Sequence, residues 1–239
     1  MPDEGTISIG VWGWVLTGQP IFDGGTLQGA AEDSHIRLPG HAKLGRGAEL
    51  KIPAGGHNAI RVTYFDTKAA GTFIAPVNLD FWGIGFSPGD ATDTNYRLRA
   101  AKASYEFVSW PFPIGSRKIR VKTLWQVQVA KMDTTFNAPL STTATSPASG
   151  SKTVILPTFG MGVTDYLSRY LHVDANASGF VIPHHSAIGD VDMSISYRVS
   201  KFELQAGGKL YYFKTSTHSD FYMKGLIGGP FVGLKFYLN

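Results

Sequence analysis

His184 and Ser186 put an imidazole and a hydroxyl close together in sequence, and such groups can act as general base and nucleophile where they come within hydrogen-bond reach. A dyad of that kind needs a carboxylate to orient the imidazole. Metal binding is the other chemistry in view. His35, His41, His184, His185 and His218 all fall in stretches that read as loops, with Asp190 and Asp220 close to the last three. Neutral imidazole with carboxylate suits zinc or copper. His35, His218 and Asp220 are the set that closure of the chain on itself would bring together, although no spacing among them defines a geometry. The chain has no cysteine, which excludes disulfides, thiol catalysis and thiolate metal sites. No cofactor is expected.

A larger polar set shares a position, not a motif. Glu49, Lys51, Arg61, Arg97, Arg99, Lys118, Arg120, Lys122, Gln126, Gln128, Asp190, Asp192, Arg198, Glu203 and Lys209 all stand on the polar parity of alternating segments. Residues 118–130, KIRVKTLWQVQVA, show the pattern best. Ile119, Val121, Thr123, Trp125, Val127 and Val129 take one parity; Lys118, Arg120, Lys122, Leu124, Gln126, Gln128 and Ala130 take the other. A period of two sends these sets to opposite faces of a strand. At roughly 3.3 Å per residue the strand spans about 40 Å, against about 17–20 Å for an ordinary one. Such strands suit a wall with lipid on one side and a polar interior on the other.

The elements that would position these residues are ten strands, at residues 6–16, 44–53, 57–67, 94–109, 118–130, 153–165, 168–177, 190–200, 202–215 and 221–238. No segment of useful length has a helical period. The connections alternate long and short, as in a meander whose odd connections lie at one end and even ones at the other. In the fourth strand the apolar parity changes between Tyr96, Leu98, Ala100 and Ala103, Tyr105, Phe107, which predicts a β-bulge near Ala100–Lys102. Trp110, Phe112, Tyr166, Tyr170, Phe236 and Tyr237 fall near the short-turn end; Trp14, Phe65, Tyr96, Phe136, Phe180, Phe221 and Tyr222 fall near the long-loop end. Two aromatic girdles are expected from that placement. Residues 71–89 are too apolar for a free loop and should plug the interior, lie on an interface or extend the flanking strands.

Charged residues are 17% of the 239-residue chain, against roughly 25% in an average soluble domain. Net charge is +4 with Lys and Arg dispersed, so no nucleic-acid patch is indicated. No apolar run is long enough for a transmembrane helix. The opening MPDEGTIS has no signal-peptide pattern, and the expectation is that such a segment has been removed.

With its sorted loops, strand dyads and the ending GGPFVGLKFYLN, the chain resembles a bacterial outer-membrane β-barrel. The resemblance covers nearly all of residues 1–239 as one domain. It implies an all-β, single antiparallel up-and-down transmembrane barrel of about ten strands, outer-membrane lipid as surroundings, and assembly machinery recognising Gly233, Phe236 and Leu238. The terminal residues are Leu238 and Asn239 where that class usually closes on an aromatic. His184-x-Ser186 is also similar to the dyad of outer-membrane lipid A deacylases, but Ala187 stands for that family's Asn and Arg198 for its Glu. The polar parity would then face the lumen as a paired, hydrated and largely occluded network. A structural or binding role is expected, with an anion-leaning channel and a membrane hydrolase as alternatives.

Overall fold

The computed structural model describes residues 5–18, 20–23, 35–39, 44–110, 119–144, 146–216 and 221–238. These form fourteen strands: β1 (Ile7–Trp14), β2 (Ile21–Asp23), β3 (His35–Arg37), β4 (Gly45–Pro53), β5 (Ala59–Ile74), β6 (Leu79–Phe81), β7 (Ile84–Phe86), β8 (Ala91–Trp110), β9 (Ile119–Asn137), β10 (Ala148–Tyr166), β11 (Leu171–Ile182), β12 (Ser186–Val199), β13 (Phe202–Lys214) and β14 (Tyr222–Leu238). Ten of them close an antiparallel barrel in the order β1-β4-β5-β8-β9-β10-β11-β12-β13-β14, with β14 pairing back onto β1 from Ile7↔Leu238 to Trp14↔Phe231. The β2–β3 hairpin extends the sheet beyond the upper part of β14. The β6–β7 hairpin stands apart as its own two-stranded sheet.

The strands are longer than their apolar periodicity indicates, because the pattern reverses partway up the wall. Cross-strand rows through β5, β8, β9 and β10 make the reversal visible. Outward rows below are Val62–Ala103–Val127–Pro157 and Tyr64–Ala101–Val129–Ile155. The next outward rows up are Asp66–Arg99–Lys131–Thr153 and Lys68–Arg97–Asp133–Ser151. Inward rows change the opposite way at the same level. Arg61–Ser104–Gln126–Thr158 lies below, and Phe65–Ala100–Ala130–Val154 lies above. The lower barrel is thus polar inside and apolar outside; the upper barrel is apolar inside and polar outside.

Two expectations are corrected by this reversal. β8 alternates without interruption through Ala100–Lys102, and its register shift lies between Val108 and Trp110. The apolar set of β8 changes parity because the surroundings change, not because the backbone slips. Trp14, Phe65, Tyr96 and Phe136 are buried core residues, not an outer girdle, whereas Phe180 is exposed on the outward face. At the short-turn end Trp110 and Tyr170 are exposed, but Tyr237 is buried inside. Phe112 lies outside the described residues. The long loop expected between β11 and β12 is a tight turn over residues 183–185.

The upper core is aromatic. Phe65 packs edge-on to Trp14 at 5.4 Å and to Tyr211 at 5.0 Å, forming a layer across the lumen. Above it stand Leu98, Met132, Ile188 and Phe213, all buried. The mouth is closed by Phe22, Phe81, Phe86 and Phe136, with Phe81 and Phe136 stacked at 3.9 Å. Residues 71–89 therefore do two of the expected things. They extend β5 to Ile74, and before β8 begins at Ala91 they send the β6–β7 hairpin into the mouth.

Candidate functional site

The lower lumen is the candidate site. Its side chains come from alternate positions of successive strands, so each strand offers one inward position per two residues of rise. Taking these groups out of bulk water is costly unless they pair, and they pair densely.

Three knots of charge are stacked in it. In the first, Glu106 lies 2.7 Å from Arg61 Nε, 3.7 Å from Lys51 Nζ and 3.9 Å from Lys122 Nζ. Lys122 also reaches Asp174 at 3.3 Å, and Thr164 donates to the same carboxylate. His172 Nε2 lies 3.2 Å from Asp174 and 3.8 Å from Glu203. The second knot closes the β14 seam. Lys235 holds Glu49 at 2.9 Å, and Tyr237 donates its hydroxyl to Glu203 at 2.6 Å. Arg198 stacks 3.5 Å over the Tyr237 ring and donates Nε to the Ser200 carbonyl. The third knot lies just below the aromatic layer. Asp190 accepts Lys102 at 2.8 Å and Lys209 at 3.2 Å, while Asn176 donates to Asp192 at 2.9 Å. An uncharged ladder, Ser104–Gln126–Gln128–Thr158, runs along the wall beside them.

Space within the network is limited. A cavity of about 50 Å³ lies under Trp12 and Phe231, bounded by Asp192, Lys209 and Lys235. A larger one of about 290 Å³ opens at the short-turn end, between Gly55, Gly56 and His57 on one side and Arg120 and Tyr166 on the other. The ceiling of the site is Trp12, whose indole lies against Gly47. A Cβ there would stand 2.0 Å from the ring, so glycine is what allows the indole to lie along the wall.

Of the residues picked out by parity, Glu49, Lys51, Arg61, Arg120, Lys122, Asp190, Asp192, Arg198, Glu203 and Lys209 point inward. Lys118 lies outside the described residues. Arg97 and Arg99 do not belong to the lumen. They project outward above the reversal and pair with Asp66 and Asp133. Their parity is opposite to that of Lys102 and Glu106 lower on the same strand. Sequence reasoning missed Lys102, Glu106, Asp174 and Lys235. The signal was present: Glu106 is flanked by Tyr105 and Phe107, and Asp174 by Val173 and Ala175. The expected bulge hid the first by splitting β8.

The loop candidates are placed as follows. His184 stands in the turn between β11 and β12 with a left-handed backbone (φ 61°), and Ser186 opens β12 opposite Ile182. His35 belongs to β3, with its Cα opposite Asp23. His41, His218 and Asp220 lie outside the described residues. Among the described residues no cluster of three His, Asp or Glu side chains forms a metal site.

No family model matches the chain, and no curated protein does. Among solved structures it is similar to the outer membrane protease OmpT of Escherichia coli, at TM-score 0.61 and 8% identity, covering 100% of this chain and 98% of that one. Ail, the attachment invasion locus protein of Yersinia pestis, gives TM-score 0.43 at 11% identity, covering 98% and 99%. The P. putida toluene transporter TodX gives 0.33 at 8% identity, covering 100% and 91%. The match to OmpT establishes the fold as the closed β-barrel of outer-membrane proteins; at that identity it says nothing about activity.

Proposed function

We propose that this chain is an outer-membrane barrel with an occluded lumen, acting as a rigid anchor and binding surface with no chemistry of its own. The observation that carries this reading is the coincident reversal of polarity on the two faces of the wall. On β13 the outward apolar positions run from Phe202 to Tyr212 and end at Lys214. On β9 they run from Ile119 to Val129 and end at Lys131. Each stretch matches the roughly 9–11 residues that a tilted strand needs to cross a bilayer. Above it β8, β9 and β10 continue to total lengths of 20, 19 and 19 residues, and that surplus raises a wall beyond the membrane.

Occlusion supports a binding or structural role over transport. A solute would have to pass the Trp14–Phe65–Tyr211 layer and then the Phe22–Phe81–Phe136 layer. Displacing either exposes a core packed like that of a soluble protein. Assembly through Gly233, Phe236 and Leu238 fits this reading: Phe236 and Leu238 face outward on the closing strand, and Phe202 packs 5.2 Å from Phe236.

The test is purification in detergent and reconstitution into planar bilayers. The expected outcome is a folded form that migrates differently from the boiled form and leaves the bilayer silent. Identical migration with solubility in the absence of detergent rejects the membrane reading; discrete conductance steps reject occlusion.

A further inference from the structure

Immediately above the apolar belt the outward face is cationic out of proportion to its acids. On one side Arg46, Lys68, Arg97, Arg99 and Lys131 stand in the first two polar rows, with Asp66 and Asp133 between them. The two carboxylates are already engaged, Asp66 by Arg97 and Asp133 by Arg99 and Lys131. Lys68 enters no ion pair among the described residues and borders a hollow of about 500 Å³ whose floor includes Ala70 and whose rim includes Arg97, Asp133 and Thr135.

Across the barrel the same level repeats the theme independently. Lys214 and Lys224 are direct cross-strand partners on the outward face. Tyr222 lies beside both, 5.8 Å from one Nζ and 5.5 Å from the other. Like charges placed directly opposite destabilise a sheet, and no acid among the described residues pairs with either. The row beneath is Tyr212–Leu226, the top of the apolar belt. A bridging dianion would relieve the repulsion. It would have to sit at the height where lipid chains give way to headgroups.

We propose that this collar binds phosphorylated headgroups of the surrounding lipid, with Lys214 and Lys224 clasping one phosphate and Lys68, beside Arg97, holding another. The proposal rests on the membrane reading above, since the belt sets the height of the collar. Phosphate on a lipid is anchored at that height, whereas free phosphate gains nothing from the belt below.

The experiment compares the folded protein in detergent with lipid A, with the same lipid enzymatically stripped of phosphate, and with inorganic phosphate alone. Binding is read as apparent Kd from the thermal unfolding shift. Lys68→Ala and Lys214→Ala are the variants, chosen because neither residue has a carboxylate partner among the described residues, and their folding is checked by heat-dependent gel mobility. Lipid A is expected to bind more tightly than its dephosphorylated form, and each variant to lose about fivefold in affinity, in line with the contribution of one surface cation near anionic lipid. Equal binding of the two lipids, or variants that bind like the parent, overturns the proposal. Inorganic phosphate binding as tightly as lipid A assigns the site to the free anion and also overturns it. Insertion into vesicles without discrimination between the lipids defeats the collar alone; failure to insert defeats the membrane reading and the collar with it.

Discussion

Arg97 grips Asp66 across the outward face of the wall, Nε donating to Oδ1 at 2.8 Å and Nη2 to Oδ2. The pair is bidentate, which favours it geometrically. Its side chains are nevertheless 48% and 28% exposed, and solvent screens them. Arg61 makes a superficially similar contact with Glu106, but those side chains are 13% and 4% exposed. Removing Arg61 leaves Glu106 and Glu49 buried without their shared cation, and removing one partner of a buried pair costs about 3–5 kcal/mol. Arg97→Ala is expected to cost about 0.2–1 kcal/mol. Denaturant unfolding of the reconstituted protein should separate the two variants clearly; equal losses would mean that the two faces of the wall do not differ as described.

This contrast shows what was legible in the sequence. Period-two alternation located all ten barrel strands and placed Arg61, Asp190 and Glu203 inside, because alternation is a local property of the chain. Arg97 and Arg99 were misassigned because parity tells which residues share a face, not which face is wet. Both surfaces of the upper wall are specified by side chains arriving from elsewhere. Leu98 became interior only when the β6–β7 hairpin and Phe22 filled the mouth from distant stretches. The pairing of Lys122 with Glu106 and Asp174 was likewise unreadable, since four strands, β8 to β11, must be laid side by side before the carboxylates approach it.

Ile195 tests the lower belt. It lies outward on β12, opposite Val173 and Ala206 and 48% exposed. Ile195→Arg is expected to cost about 2–4 kcal/mol in a bilayer if the site lies near the midplane. Thr153→Arg, outward on β10 above the reversal, should cost within about 0.5 kcal/mol, as surface changes usually do. Folding titrations into phospholipid vesicles would measure both. A costly Thr153→Arg with a neutral Ile195→Arg would invert the barrel in the membrane.

Asp90, in the connection before β8, gives a pH-dependent readout above the belt. Its carboxylate accepts the Ser141 hydroxyl at 2.7 Å and the Ser87 N–H at 2.8 Å, and these bonds hold its pKa below the usual aspartate range. A lowered folded-state pKa means that the charged form favours the folded loop. The contribution is complete above the ordinary aspartate pKa and disappears as pH falls through the lowered one. Carbon-detected NMR titration should find Asp90 protonating at lower pH than a free aspartate, and Ser141→Ala should move it upward. An unchanged midpoint in that variant would rule out the hydroxyl as the main cause.

The mouth closure depends on Trp82, which occupies the turn between β6 and β7 in a left-handed conformation, φ 56°, followed by Gly83 at 81°. A bulky residue in that region is strained by about 1–3 kcal/mol and persists only where its surroundings hold it. Here the indole N–H donates to Thr134 Oγ1 at 2.9 Å, Phe221 packs at 4.8 Å, and the ring rests on Gly150. A Cβ at position 150 would stand 2.3 Å from the ring. Gly150→Val should therefore evict the indole and let the turn relax. Tryptophan emission should shift to the red, and protease should cut within residues 79–86 while the belt remains folded. Conductance should stay absent, because the Trp14–Phe65–Tyr211 layer below is independent of the hairpin. Current through the Gly150→Val barrel would show instead that the hairpin alone keeps the lumen shut.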